Sequence, residues 1–196
     1  MLKGQQVIIS CTEQEVLDYF GNISGYYCFF RDITAAREYE EMILKFANTD
    51  GLTELYNRRY FFNHINDHCD GAMTILFMDM DNFKKVNDTF GHNKGDEVLV
   101  STAKAIDEVF SDCLTARLGG DEFAVLADED IPKAELSRRS EELIKKLEKE
   151  YAPLNLGVSI SIGMAHSEGH IEDIDAFIHE SDQMMYSVKQ EKKARG

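Results

Sequence analysis

The chain has 196 residues and a formal net charge of −15, from 21 Lys and Arg against 36 Asp and Glu. That length buries one sizeable core with at most a short appendage, and so acidic a balance excludes a nucleic-acid polymer as the expected partner, because such binding needs a basic face. No apolar run approaches the roughly 20 residues of a membrane span, and Cys11, Cys28, Cys69 and Cys113 stand far apart without a CxxC pair, so a soluble cytoplasmic chain with reduced thiols and no membrane partner is expected.

Residues 1–6 lead into no signal-peptide core. From 6 to 31, the short apolar runs Val7-Ile8-Ile9 and Tyr26-Tyr27-Cys28-Phe29-Phe30 flank the turn-like Gly21-Asn22-Ile23-Ser24-Gly25, and this reads as a pair of strands. Such a pair is too small to stand alone, so it must lean on the main domain or on a second copy. From 34 to 47, with Thr34 as N-cap, Ala36, Tyr39, Ile43 and Phe46 recur at alternating spacings of three and four, the pattern of an amphipathic helix. That helix either pairs with its twin or covers its own domain.

Helices and strands then alternate: a helix at 58–67, a strand at 72–80 and a helix at 93–110 with Leu99, Ala103, Ile106 and Phe110 on one face. Strands at 115–118 and 121–127 are joined by Gly119-Gly120. Pro132 opens a helix to about 151, followed by a strand at 157–165 and a last helix from 171 to about 193. The order describes an α/β sandwich with a mixed central sheet and one tight hairpin.

Gly119-Gly120 supplies the positive φ angles that a two-residue hairpin turn demands. By itself it is only a turn. Beyond it stand Asp121 and Glu122, and because successive strand side chains face opposite ways, the two acids serve different surfaces. An acid held on the core side needs a partner such as a metal. The other half of that site is Met78-Asp79-Met80-Asp81, where an apolar strand breaks into carboxylates. Hard oxygen ligands at strand ends suit Mg2+, which takes one or two carboxylates and completes its shell with water and phosphate. Asp79 with Asp121 is the expected metal pair, while Asp81 is equally well a cap of the next helix. Lys84 and Lys85 follow and could balance phosphate charge, although adjacent lysines are usually a solvated face. Asn87 and Asp96 suit a guanine edge, the carboxylate accepting from N1–H and N2–H and the amide doing both, with Gly91 and Gly95 permitting the close turns between them.

Together these segments resemble the diguanylate cyclase family, also called GGDEF after the signature that stands here as Gly119-Gly120-Asp121-Glu122-Phe123, preceded by Arg117. The likeness covers about residues 46–190 and includes the segments 50–61, 79–96 and 182–189. It implies a sheet like that of nucleotidyl cyclases and polymerase palms, and Mg2+-dependent condensation of two GTP into cyclic di-GMP and two pyrophosphates between two facing domains, hence a homodimer. Mn2+ is the alternative ion. By the same resemblance Asp79 and Asp121 are the metal carboxylates and the Met80 carbonyl a backbone ligand, with Asp121 also deprotonating the 3′-hydroxyl. Lys84 is similar to the phosphate-contacting lysine, Asn87 and Asp96 to the guanine readers, and His92, Phe83 and Gly120 to further substrate-side positions. Lys189 resembles a triphosphate contact on the last helix, and Glu122 is the second-ranked catalytic acid.

The chain also departs from the family. After Lys189 the family continues with two residues, then Gly-Arg-Asn and a final strand, whereas here residues 190–196 end the sequence and Lys193 stands for the arginine. A lysine is a point charge where the arginine is a fork, so weaker triphosphate affinity is expected. The family's Arg-x-x-Asp feedback site is replaced by Phe110-Ser111-Asp112-Cys113, and no inhibition through it is expected. Residues 25–34 resemble the closing strand of a PAS sensor, giving an organisation of 1–33 as a PAS-like remnant, 34–48 as a linker helix and 49–196 as the GGDEF domain. A vestige packing on a neighbour fits better than a working sensor, and an upstream sensor domain is a separate candidate partner. Two rivals stand beside the enzyme: a catalytically weak module of the same fold that binds GTP or cyclic di-GMP, and a pure dimerisation domain.

Overall fold

The computed structural model describes residues 6–68, 71–128, 131–169, 171 and 173–195; Cys69 and the side chain of Lys193 fall outside the described residues. Two units separate along the chain, Met1–Ala47 and Asn48–Gly196. In the first, β1 (Ile9–Leu17) and β2 (Ile23–Asp32) pair antiparallel, and the Asp18 carboxylate closes their turn by accepting from the Phe20 and Asn22 amides at 2.8 Å each. α1 (Thr34–Asn48) follows. Thr34 does not act as its N-cap: the hydroxyl accepts from the Ile8 N–H at 2.8 Å, and the Asp32 carboxylate takes the Thr34 N–H at 2.9 Å. The apolar stripe of α1 is open, with Tyr39, Ile43 and Phe46 at 66%, 66% and 76% exposure.

In the second unit a five-stranded sheet runs in the order β3 (Tyr56–Asn57), β5 (Leu114–Gly119), β6 (Glu122–Asp128), β4 (Met73–Asp81), β7 (Ser159–Ser167). The β3–β5 pair is parallel and the others antiparallel, so the sheet is mixed. The central strand β4 is flanked on both edges and buries both faces, which is why it reads as a continuous apolar run. Its alternate residues divide the core. Leu76, Met78 and Met80 pack with Phe123 and Val125 against α3 (Phe83–Phe90), α4 (His92–Val109) and α5 (Lys133–Tyr151). Ile75 and Phe77 pack with Leu118 and Ala124 against α2 (Arg58–Asp67) and α6 (Ile174–Arg195).

α6 lies unusually close to the sheet. Gly163 of β7 leaves no room for a side chain: a Cβ there would sit 2.7 Å from Met185 Cα and closer still to Met185 N and the Ser181 carbonyl. The buried Ser181 hydroxyl lies 3.3 Å from the carbonyl oxygens of both Ile75 and Gly163 and fixes the same contact. Pro132 occupies the N-cap position of α5 rather than its first turn. Among the described residues, no helix is long and apolar enough to cross a membrane.

Candidate active site

Strand alternation places Asp79 on the Phe77 face of β4, two positions beyond it at the open end of the ladder, where Asp79 faces Glu122 on β6 and Ser161 on β7. From α6, Lys189 Nζ hydrogen-bonds Asp79 Oδ1, and both side chains are largely covered. Burial holds the Asp79 carboxyl above its ordinary range; the Lys189 bond and charge oppose this, and the Asp121 and Asp81 charges add to it. Lys189 is therefore a counter-charge within a crowded set of acids.

The hairpin differs from the sequence expectation by one residue. Gly119 belongs to β5 and pairs with Glu122, leaving Gly120 and Asp121 as the two-residue turn, so Asp121 is a turn residue and not the first of a strand. The cause is an irregularity in register between Arg117 and Gly119, taken up by φ of +145° at Gly119 and +54° at Gly120. The Met80 N–H donates to the Asp121 carbonyl at 3.1 Å and draws the turn over the end of β4. Asp121 thus comes to Asp79 by a backbone bond. Glu122 alone follows the pleat onto the Asp79 face; burial, followed by the charges of Asp79 and Asp121, raises its carboxyl above the ordinary value, with Arg58 opposing.

On the far side of β4 the chain turns through Asn82, which is left-handed at φ 62° and donates from Nδ2 to the Gly157 carbonyl at 2.9 Å. Asp81 is not the helix cap; it accepts from the buried Ser161 hydroxyl at 2.8 Å. In α3, Phe83 leans on the core, Lys84 is exposed and Asn87 is half-buried. Gly95 of α4 receives Asn87: a Cβ there would lie 3.0 Å from Asn87 Cγ and closer to its Oδ1. The missing side chain at Gly95 leaves room for the Asn87 amide against α4. Lys84, His92 and Asp96 are exposed, and among the described residues none of their side chains makes a hydrogen bond or ion pair within the protein.

No three or more His, Cys, Asp or Glu side chains converge on one point among the described residues. Asp79 and Asp121 alone fit a hard divalent ion that relies on phosphate and water for the rest of its shell, and not a cage made of protein ligands.

A family model described as diguanylate cyclase, GGDEF domain, matches residues 47–195. The chain belongs to the GGDEF family. It is 36% identical over 173 residues to the cyclic di-GMP phosphodiesterase PdeR of Escherichia coli, covering 83% of this chain and 26% of that protein. Over 164 residues it is 36% identical to the diguanylate cyclase TpbB of Pseudomonas aeruginosa, covering 76% and 36%. Among solved structures, the coiled coil and GGDEF domain of DgcB from Caulobacter crescentus, in complex with cyclic di-GMP, superposes with a TM-score of 0.72 at 26% identity, over 81% of this chain and 88% of that one. The chain spans about a quarter to two fifths of the length of the curated relatives it matches.

The GGDEF hairpin has a brace that the sequence did not disclose. Arg117 donates from Nε and Nη2 to the Gly120 carbonyl at 3.1 and 2.8 Å, and from Nη1 to Asp50 Oδ1 at 3.0 Å. Asp50 also takes the N–H and hydroxyl of Thr53, 2.9 and 2.8 Å away. Its carboxyl lies below its usual value although burial raises it, because the Thr53 and Arg117 bonds outweigh that burial. Both segments are visible as motif residues, but 67 positions separate Asp50 from Arg117, and spacing alone does not pair them.

Proposed function

We propose that this chain is the catalytic domain of a diguanylate cyclase, working in the cytoplasm, where its GTP substrate is found. The observation that carries the reading is the meeting of Asp79, at the end of β4, with Asp121, in the turn held over it by the Met80–Asp121 backbone bond. Asp79, Asp121 and the Met80 carbonyl would hold Mg2+, or Mn2+ in its place. When bound, the ion supplies positive charge at the α-phosphate and eases loss of the 3′-hydroxyl proton.

The chain's own groups do the rest. Asp121 accepts the 3′-hydroxyl proton. Lys189 can turn from Asp79 to the triphosphate, and Lys84, Phe83, Gly120 and Lys193 complete the phosphate side. Asn87 and Asp96 hold the guanine edge, beside His92. In this reading Glu122 stands behind the pair on the same face and sets its field. Each domain binds one GTP, and two domains face each other so that each 3′-oxygen attacks the other α-phosphate with pyrophosphate leaving. Placing both nucleotides in that geometry is worth several kcal/mol of barrier, on the order of 7–11 when ideal. The open stripe of Tyr39, Ile43 and Phe46 on α1 supports a homodimer held through that helix, and the ribbon before it supports an upstream PAS-like sensor.

Binding without turnover is the second reading, favoured by the match to a relative named as a phosphodiesterase. Product analysis after incubation with GTP and Mg2+ separates the two. Cyclic di-GMP and pyrophosphate in a one-to-two ratio support the cyclase; GTP bound tightly and recovered unchanged supports the module.

A further inference from the structure

Between α2 and α6, on the Phe77 face of the sheet, lies a cavity of about 390 Å³ that none of the GTP-site residues except Glu122 lines. That is within the usual range for small-molecule sites, roughly 300–1,000 Å³. Its floor is apolar, made by Phe77, Leu118 and Met185, and its mouth carries Arg58, Glu122 and Asp182.

The three charged groups are close enough to act on one another: Glu122 feels both Arg58 and Asp182. Yet among the described residues they form no hydrogen bond or ion pair with one another. The Arg58 guanidinium instead stands 5.0 Å over the centre of the Phe62 ring, also on the cavity wall. Its donor fork therefore stays open, while two carboxylates nearby offer only acceptors.

A ligand that fills this space rests on Phe77, Leu118 and Met185 and meets the charged groups at the mouth. It must also present donors to a carboxylate and an acceptor to the guanidinium while carrying little charge of its own. A cyclic amide edge does this. In guanine, N1–H and the 2-amino group donate to a carboxylate, and O6 with N7 accepts the paired donors of an arginine. Adenine lacks the N1–H donor and has an amino group where O6 would be, so it mismatches both groups.

We propose that this cavity is a second guanine-recognition site, on the opposite face of the sheet from Asn87 and Asp96, taking a guanine base between Arg58 and the carboxylates of Glu122 and Asp182. The assignment of guanine among lactam heterocycles rests on the reading of this chain as a guanine-nucleotide enzyme. The acidic mouth favours the base and ribose over a phosphate, so the probe is guanosine without metal.

The test uses the whole chain labelled with [13C]methyl methionine, because Met185 lines the cavity and reports its occupancy directly. Guanosine should shift the Met185 methyl signal saturably, with adenosine at least about tenfold weaker, the discrimination expected of one bidentate base contact. Asp182→Asn and Arg58→Met should each weaken guanosine by about tenfold on the same basis, and Asp96→Ser should leave the Met185 response intact. Ile178→Trp, filling the cavity from α6, should abolish it and serves if a charge variant does not fold. A Met185 signal unmoved by guanosine, an equal response to adenosine, or a response lost in Asp96→Ser but kept in Asp182→Asn would overturn the proposal. Cyclic di-GMP formation is measured on the same samples. Turnover without the Met185 response sinks this site alone, and the response without turnover sinks only the cyclase reading.

Discussion

Replacing Gly163 by alanine tests how α6 is held against the sheet. The new Cβ would sit 2.7 Å from Met185 Cα, and nearer to Met185 N and the Ser181 carbonyl. These are backbone atoms of a helix, so no side chain can swing aside. To bring the nearest of these atoms to an ordinary contact of about 3.5–4.0 Å, α6 must retreat by roughly 1.5–2 Å. Overpacking of this kind costs about 1–3 kcal/mol, and for a domain of this size 2 kcal/mol lowers Tm by roughly 4–8 °C. Four residues beyond Met185 the same helix delivers Lys189 to Asp79. A 1 Å misplacement of a positioning group can cost on the order of 100-fold in rate. Gly163→Ala should therefore lower Tm by roughly 4–8 °C and cyclic di-GMP formation by about one to two orders of magnitude, as read by thermal unfolding and product chromatography. Unchanged Tm with full activity would refute the reasoning, because it would mean that α6 is not set by this contact.

Gly95→Ala makes the opposite case, since its Cβ meets only side-chain atoms, the end of Asn87 and, at 3.3 Å, Phe83 Cζ; the helix gains up to about 1 kcal/mol of propensity. Tm should hold or rise while the GTP KM increases by about tenfold from loss of the amide contact, checked by melting and steady-state kinetics. Asp96→Ser should erase the preference for GTP over ATP in competition binding; a preference left intact would remove Asp96 from guanine recognition. Tyr151 is buried, donates to the Val98 carbonyl at 3.0 Å and meets Thr102 Oγ1 at 2.9 Å. Burial raises its phenol above the ordinary 10.0, with the Thr102 bond opposing. Its contribution is therefore intact below about pH 10 and lost as pH rises through the folded value. Tyr151→Phe should cost about 1–2 kcal/mol at neutral pH and flatten the alkaline fall in Tm, read from melts between about pH 8 and 11.

Much of this arrangement was legible in the sequence because each strand and helix keeps its own period. The apolar run at 72–80, breaking at Asp79, matches the strand Met73–Asp81, and Gly95 is the close approach expected of it, although what it receives is the Asn87 side chain. What was missed depends on contacts between distant segments. The two-residue turn slid from Gly119-Gly120 to Gly120-Asp121 because a register irregularity in β5 absorbs one residue, and local spacing does not register such a slip. Asp81 had two equal readings, and the cap reading fell because Asn82 takes the cap position while Asp81 accepts from the buried Ser161, 80 residues away. Thr34 carries the residue type of a cap but lies next to the Ile8 amide. Arg117 and Asp50 were both in view without their ion pair.

The central claim is that two copies of the Asp79–Asp121 site condense two GTP molecules. Its most direct test is the rate of cyclic di-GMP formation from GTP and Mg2+, followed over a range of chain concentrations and identified by mass. The account requires a cyclic dinucleotide whose rate per chain rises with concentration and which disappears in Asp121→Ala. GTP recovered intact at every concentration, or a product that persists in Asp121→Ala, would contradict it.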